Sequence, residues 1–199
     1  MSYLELLETE LQIFEIQLRQ YQKLSLARYC DELQKWNEKI NLTALSGAAL
    51  VRRLILEPIW IARQLGLSGS LVDVGSGNGS PGIPFHIVCP FLQCHLTEVR
   101  VKRAAFLRHL VTNLKLQNVQ VHRTRFEEIT VSPGTVDWIS LQAVDLTPKL
   151  VHSIRRIANP TTTILWITSP GAQSVLPPLG NLSVPITGTH VFLYRLDLT

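Results

Sequence analysis

The chain has 199 residues, of which 46% are hydrophobic and 17% charged, and this balance excludes a disordered protein. Its length fits one domain with an extension and is sufficient for a large hydrophobic core. A net charge of +4 and a pI of about 9.1 permit nucleic-acid binding without requiring it.

Cysteine and histidine usage bears on compartment and metal content. The chain has three cysteines, Cys30, Cys89 and Cys94, an odd number without Cys-x-x-Cys spacing. We therefore expect reduced thiols and neither a disulfide framework nor a zinc site. The six histidines show no spacing typical of metal ligands, and we therefore expect no metal.

The first apolar residues are interrupted by Glu5, Glu8 and Glu10, which is not the pattern of a signal peptide. No run reaches the roughly 18 apolar residues that a membrane-spanning helix needs. From these two observations we expect a cytoplasmic protein that does not enter the membrane.

The first third of the chain has helical periodicity. Apolar residues recur at steps of three and four and so share one helix face, as in Leu4, Leu7, Leu11, Phe14 and Leu18. A second helical pattern follows, and a third runs from about residue 48 to 65, where Pro58 should kink or break it. The sequence therefore predicts a helical N-terminal cap over residues 1–66.

After Gly66 the pattern changes to short apolar runs that alternate with helical stretches. Strands are predicted at 71–74, 93–98, 119–122, 135–141 and 162–168, with helices at 102–116 and around Ser153. This alternation indicates βαβ units and a parallel sheet flanked by helices. Extended runs at 182–186 and 190–196 surround Thr187-Gly188-Thr189 and predict a C-terminal antiparallel hairpin. Residues 67–199 would thus form an α/β core of Rossmann-like type.

The strongest local motif is the glycine-rich stretch Asp73-Val74-Gly75-Ser76-Gly77-Asn78-Gly79-Ser80-Pro81-Gly82, between a predicted strand and a predicted helix. Glycines allow sharp turns and close approach of a ligand to the backbone. Gly77-x-Gly79-x-x-Gly82 matches the dinucleotide fingerprint of oxidoreductases. The alternative is a loop that holds the methionine part of a nucleoside cofactor. Asp73 favours this alternative, because a carboxylate attracts a cationic ammonium or sulfonium and repels a pyrophosphate.

Two further strand ends carry candidate ligands of a nucleoside. Glu98 lies at the predicted end of the second strand, where an acidic side chain can accept hydrogen bonds from both ribose hydroxyls. The stretch Arg125-Phe126-Glu127-Glu128 follows the third strand and could flank an adenine ring. A solvent-facing glutamate and an acidic helix start are the alternative interpretations of these two features.

Taken together, these motifs resemble the GidB family, ribosomal RNA small-subunit methyltransferase G, over nearly the whole chain. The resemblance depends on the glycine stretch continuing into Gly82-Ile83-Pro84, on Glu98, and on several flanking motifs: Lys35-Trp36-Asn37, Asn41-Leu42-Thr43-Ala44, Lys102-Arg103, Phe106-Leu107-Arg108 and Arg125-Phe126-Glu127-Glu128. The extension after the glycines is more specific than the glycines themselves.

The resemblance implies a class I methyltransferase that moves a methyl group from S-adenosylmethionine to N7 of a guanine in small-subunit (16S) ribosomal RNA. The implied partner is this RNA or the small ribosomal subunit, and we expect a monomer. The predicted cofactor-binding residues are Asp73, Gly75, Ser76, Gly77, Gly79, Pro81, Glu98, Phe126, Glu127 and Gln142, and the predicted RNA contacts are Arg53, Lys102, Arg103 and Arg125. Guanine N7 carries no proton, so no general base is expected.

Three positions depart from the family pattern. Gln142 stands where the family usually has Arg, and Leu54-Ile55-Leu56-Glu57 stands where it usually has His-Ile-Leu-Asp. Ser169-Pro170-Gly171 replaces a usual Lys-Gly pair. The cofactor motifs are intact and the acceptor side is altered, so a member with a changed acceptor, or a catalytically weak cofactor- or RNA-binding protein, is the alternative hypothesis.

Overall fold

The computed structural model describes residues 1–169 and 176–197. Its helices are α1 Tyr3–Ile13, α2 Gln20–Asn37, α3 Gly47–Val51, α4 Glu57–Leu65, α5 Gly82–Val88, α6 Val101–Asn113 and α7 Pro148–Arg155. Its strands are β1 Ser70–Val74, β2 Gln93–Thr97, β3 Val119–His122, β4 Val136–Gln142, β5 Ala158–Thr168, β6 Gly180–Ser183 and β7 His190–Tyr194. A π turn, Arg52–Leu56, joins α3 to α4, and a 3₁₀ turn, Phe126–Glu128, follows β3.

The seven strands form one sheet in the order β3-β2-β1-β4-β5-β7-β6. The first five are parallel, and β7 runs antiparallel between β5 and β6. This confirms the predicted parallel sheet with a C-terminal hairpin. Because β1 lies at the point where the strand order reverses, the carboxyl ends of β1, β2 and β4 surround the crevice in which ligands of such sheets bind.

The first hairpin strand was predicted two residues too late. The chain pairs at Gly180–Ser183 and then turns, with the Gly188 N–H donating to the Val184 carbonyl at 2.8 Å. Pro185 explains why the strand ends before residue 186, because it has no N–H to donate to a strand ladder. Residues 182 and 183 of the predicted run belong to β6, and residues 184–186 lead into the turn.

Pro58 was predicted to kink or break the third helical stretch, and the α-helix is interrupted just before it by the π turn Arg52–Leu56. The Glu57 N–H donates to the Arg52 carbonyl, five residues earlier. A π turn spaces the bonding carbonyls away from the proline ring, which a regular α-helix would bring into a clash. The turn also directs Glu57 inward, where its side chain is fully buried.

The helical region 1–65 packs on the sheet domain through a shared hydrophobic cluster. Leu7, Leu33 and Ile55 of this region belong to the same cluster as Leu71 of β1 and Leu96 of β2. The division at residue 66 stays a prediction. Within the described ranges 1–169 and 176–197, no helix is both long and apolar enough to cross a bilayer.

Candidate active site

The glycine loop between β1 and α5 has left-handed backbone conformations, with φ of 69° at Gly75, 47° at Gly77 and 96° at Gly79. At Gly79 a methyl group would lie 3.0 Å from Ile83 Cγ1, and at Gly82 one would lie 2.5 Å from Leu96 Cδ2. These two glycines are thus explained by packing alone. Gly77 is different, because its nearest neighbour would be the Gly75 carbonyl at 3.5 Å. Its open side is available to a ligand.

Hydrogen bonds hold the start of the loop against the end of β2. The Ser76 N–H donates to the Thr97 carbonyl at 2.8 Å, and the Gly75 N–H donates to Thr97 Oγ1 at 3.2 Å. Both hydroxyls, Ser76 Oγ and Thr97 Oγ1, donate to the Asp73 carbonyl at 3.0 Å. From the cap, the buried Tyr29 hydroxyl donates to the Asn78 carbonyl at 2.9 Å. The loop is therefore fixed in place without a ligand.

Asp73 lies beneath this loop and is only 1% exposed. Its Oδ1 accepts a hydrogen bond from Ser140 Oγ at 2.6 Å, and Oδ2 lies beside the Gly82 backbone. Burial raises the pKa of the Asp73 carboxyl from 3.8 to about 6, and hydrogen bonding, chiefly from Ser140 and with smaller contributions from Ser76 and the Gly82 backbone, opposes this rise. A cation bound above the loop would favour the ionised carboxylate.

Two cavities open at the ends of the central strands and share Gly75. The strand-end cavity, about 300 Å³, is lined by Val74, Gly75, Thr97, Glu98, Val99, Thr124, Arg125, Phe126, Glu127, Val144, Asp145, Thr147 and Leu150. The cap-side cavity, about 280 Å³, is lined by Leu42, Thr43, Leu45, Arg53, Leu54, Gly75, Ser76, Gly77, Asn78, Ser80, Arg103, Gln142 and Ala143.

The structure sorts the predicted site residues between these cavities. Glu98, Arg125, Phe126 and Glu127 line the strand-end cavity, and Arg53, Ser76, Gly77, Arg103 and Gln142 line the cap-side cavity. Four predicted residues line neither cavity: Asp73, Gly79, Pro81 and Lys102. Lys102 instead borders a surface groove of about 410 Å³ with Lys39, Arg100 and Arg103.

The acidic and aromatic groups of the strand-end cavity are well anchored. Glu98 is 6% exposed, and its Oε1 accepts a hydrogen bond from the Arg100 N–H at 2.8 Å. Phe126 is buried in the 3₁₀ turn. The opposite wall comes from the segment after β4, which the sequence analysis did not include. In the sequence, only the pair Thr147-Pro148 indicates this segment, because it is typical of the start of a helix. In the structure, Thr147 Oγ1 accepts a hydrogen bond from the Leu150 N–H at 3.2 Å.

The cap contributes to the second cavity through Asn37. Its Oδ1 accepts hydrogen bonds from the backbone N–H groups of Leu42 and Thr43 at 2.8 and 3.1 Å, and its Nδ2 donates to the Thr43 carbonyl at 2.8 Å. These three bonds place Leu42 and Thr43 on the cavity wall. The motifs around Asn37 and Asn41 thus act as one structural unit, which the sequence indicated only by resemblance.

A buried carboxylate lies behind the cap-side cavity. Glu57 accepts hydrogen bonds from Arg53 Nη1, from Thr187 Oγ1 in the hairpin turn and, at 3.2 Å, from Gln142 Nε2 at the end of β4. Two of the departures from the family pattern, Glu57 and Gln142, are therefore in direct contact. Of the third, Ser169-Pro170-Gly171, residues 170 and 171 lie outside the described residues.

The strand order and the ligand crevice define a class I methyltransferase fold, and solved structures agree. A SAM-dependent methyltransferase from Aquifex aeolicus aligns with a TM-score of 0.59 at 16% identity, over 84% of this chain and 98% of that chain. An RNA methyltransferase from Salinibacter ruber, in complex with S-adenosyl-L-homocysteine, aligns with a TM-score of 0.56 at 14% identity, over 69% of this chain and 88% of that chain.

The family follows from sequence comparison. Residues 21–173 match the model of GidB, described as rRNA small subunit methyltransferase G. A protein of that name from Geobacter metallireducens is 31% identical over 177 residues, covering 86% of this chain and 80% of the relative. A second, from Chloroflexus aggregans, is 39% identical over 116 residues, which span 57% of this chain but only 49% of the relative. The chain belongs to the GidB family, which argues against the dinucleotide interpretation of Gly77-x-Gly79-x-x-Gly82.

Proposed function

We propose that the chain is an S-adenosylmethionine-dependent methyltransferase that acts on guanine N7 of small-subunit ribosomal RNA. The observation that carries the proposal is the meeting of two cavities at Gly75, one lined by the family's cofactor motifs and the other by cap and β4 residues. S-adenosylmethionine supplies the electrophilic methyl group. Because the matched region spans about half the length of several relatives, the activity of the whole protein is part of the proposal.

The residues present fit an adenosyl group in the strand-end cavity. Glu98 would accept hydrogen bonds from the ribose hydroxyls, and Phe126 would contact the adenine ring beside Glu127. Gly77 would allow the methionine part to approach the backbone, because it has no side chain and lines the cap-side cavity close to Gly75. The buried Asp73 carboxylate would act on the bound cation from beneath the loop.

The cap-side cavity would hold the acceptor base. Since guanine N7 has a free lone pair, the chain's own residues need only align donor and acceptor and exclude water. Ser80 supports this role, because it belongs to the lining of the cavity and its buried hydroxyl has no partner among the described residues. A polar ligand would satisfy it.

The RNA backbone would follow the basic groove beside the cavity. Arg103 borders both the cap-side cavity and the groove that contains Lys39, Arg100 and Lys102, so positive charge is continuous from one to the other. Such contacts give salt-dependent affinity without reading sequence. Arg53 is bonded to Glu57 and Thr189, and Arg125 lies in the strand-end cavity, so we assign both a smaller share of RNA binding. A cytoplasmic, monomeric enzyme remains part of this proposal.

The test is transfer of radiolabelled methyl from S-adenosylmethionine to small ribosomal subunits that lack family-type methylation. Glu98→Gln weakens acceptance of the ribose hydroxyls and should lower S-adenosylhomocysteine affinity by about tenfold. Glu8→Gln is the matched control, since Glu8 is exposed, pairs with Lys23 at 3.4 Å and lines neither cavity.

Label in the ribosomal RNA that depends on Glu98 but not on Glu8 would support the proposal. Binding of S-adenosylhomocysteine without label in the RNA would exclude this substrate. That result would favour the alternative of a changed acceptor or a binding protein.

A further inference from the structure

The contact between Glu57 and Gln142 determines which way the Gln142 amide points. Glu57 is 0% exposed and forms an ion pair with Arg53, so both of its oxygens act as hydrogen-bond acceptors. The group that Gln142 turns toward Glu57 must then be its NH₂, and the bond from Nε2 to Oε1 is 3.2 Å long. In the reverse orientation two oxygens would face each other at this distance.

The consequence is a free acceptor at the cavity. Gln142 is part of the cap-side wall and is partly exposed there. With Nε2 held by Glu57, its carbonyl oxygen Oε1 receives no hydrogen bond from any residue in the ranges 1–169 and 176–197. A residue at this position of the usual family type, arginine, could only donate. The cavity of this chain therefore has an acceptor where a donor is usual.

We propose that Glu57 is a positioning residue that orients Gln142 so that the Gln142 carbonyl accepts a hydrogen bond from an N–H group of the target base. This rests on the proposed function. Guanine has such donors at N1 and at its 2-amino group, and a base-edge contact with a side-chain amide is a specific one. Gln142 would then determine acceptor specificity, and Glu57 would act through it without touching the base.

Thr187 extends the same network to the hairpin. Its hydroxyl donates to Glu57 Oε2 and contacts Thr189 Oγ1 at 2.9 Å. Glu57 thereby joins the π turn, the end of β4 and the β6–β7 turn, and the Gln142 amide is held by a rigid support. Rigid support is what keeps a recognition group within hydrogen-bonding geometry of its target.

The experiment compares wild type, Gln142→Met, Glu57→Gln and Glu57→Asp. Methionine keeps the length of the side chain but cannot accept the bond, so kcat/KM for small subunits should fall by about 10- to 100-fold. The sequence assigned Gln142 to the cofactor, but it lines the cap-side cavity and not the strand-end cavity, so we expect S-adenosylhomocysteine affinity to stay within about twofold. Glu57→Gln allows the two amides to pair in either orientation. Glu57→Asp keeps the charge beside Arg53 but shortens the reach to Gln142, and so serves if Glu57→Gln does not fold.

A second measurement is independent of turnover. In wild type, the Gln142 side-chain NH₂ should exchange slowly with solvent by NMR, and both Glu57 variants should exchange faster. Gln22 is the internal control, because its Nε2 donates to the Ile87 carbonyl at 3.2 Å, away from the site.

Each outcome decides one of the two claims. Loss of methyl transfer in Gln142→Met with cofactor binding intact, and faster exchange at Gln142 in the Glu57 variants, would establish the inference. If Gln142→Met methylates subunits as fast as wild type, if its S-adenosylhomocysteine affinity falls as far as its turnover, or if exchange at Gln142 does not depend on Glu57, the inference is wrong. If wild type itself transfers no methyl group, the proposed function fails, and the exchange measurement still decides the orientation of the amide.

Discussion

Substitution of Asp73 by Asn separates the cost of a buried charge from all other effects of pH on this fold. The carboxyl is 1% exposed, and burial raises its pKa to about 6 in the folded chain, against 3.8 without burial. In the window between these values the folded chain holds a proton that the unfolded chain has released. Stability attributable to Asp73 is therefore greatest at low pH and is lost as pH rises through about 6.

The size of the effect follows from the pKa difference. A pKa difference of about two units corresponds to about 3 kcal/mol in the free energy of unfolding. Of this, about 2 kcal/mol falls between about pH 4.5 and 7.5, the range in which the assay is practical. The side-chain amide introduced by Asp73→Asn cannot ionise, so the variant should lack this component. The stability of the variant relative to wild type should rise by that amount across the range.

The assay is urea unfolding of both proteins, without ligand, at several pH values. The quantity of interest is the difference between the two unfolding free energies at each pH, because it cancels the titration of every other group. A difference that does not change with pH would refute the argument and would mean that Asp73 is ionised in the folded chain throughout this range. A constant offset is expected from the altered bond to Ser140 and does not affect the slope.

Three further predictions address the loop and its surroundings. Gly79→Ala places a methyl group 3.0 Å from Ile83 Cγ1 at a φ of 96°, and should lower the free energy of unfolding by about 2–4 kcal/mol. Gly188→Ala, with no atom within 4 Å of the new methyl group, should lower it by about 1 kcal/mol. Equal losses of stability in the two variants would contradict the packing argument. Ser80→Ala removes a buried unpaired hydroxyl, so stability should stay constant or rise by about 1 kcal/mol while methyl transfer falls, and unchanged transfer would argue against a ligand contact. Thr147→Ala should lower stability by about 1 kcal/mol in the same unfolding assay through loss of the α7 cap, and no loss would show that the cap is not formed.

Short apolar runs were sufficient to predict the sheet, because strands that helices cover on both faces are buried along their length, as β1 is at every position. The strands around the glycine loop and the C-terminal hairpin were predicted from such runs. The error at the hairpin occurs where a single backbone group overrides the pattern, because Pro185 lacks a donor and ends β6 early. An irregularity at Pro58 was expected, but its form, a π turn, is not encoded by an apolar repeat.

The positions of the site residues relative to the loop and the cavities could not be predicted in the same way. Asp73 was predicted to contact the cofactor, yet it lies beneath the loop, and whether its charge reaches a bound ligand stays a prediction. Its burial depends on Ser140, which is 67 residues away in the chain and adjacent only because β4 pairs with β1. The spacing of residues in the sequence shows the motif, but it does not show how deeply Asp73 is buried.

The departures at positions 57 and 142 show the same limit more sharply. Considered singly, each removes a feature of the family pattern, and Gln142 in particular suggests a lost contact. In the fold they are hydrogen-bonded to each other across 85 residues of chain, so they form one altered unit. The resemblance implies a shorter acid and an arginine at these two positions, and an amide in place of the guanidinium can offer the cavity an acceptor. Because the two changes act as a unit, the effect of either alone should depend on the other. Gln142→Arg should therefore be more harmful in the presence of Glu57 than together with Glu57→Asp, in both unfolding and methyl-transfer assays, and additive effects would show that the two positions are independent.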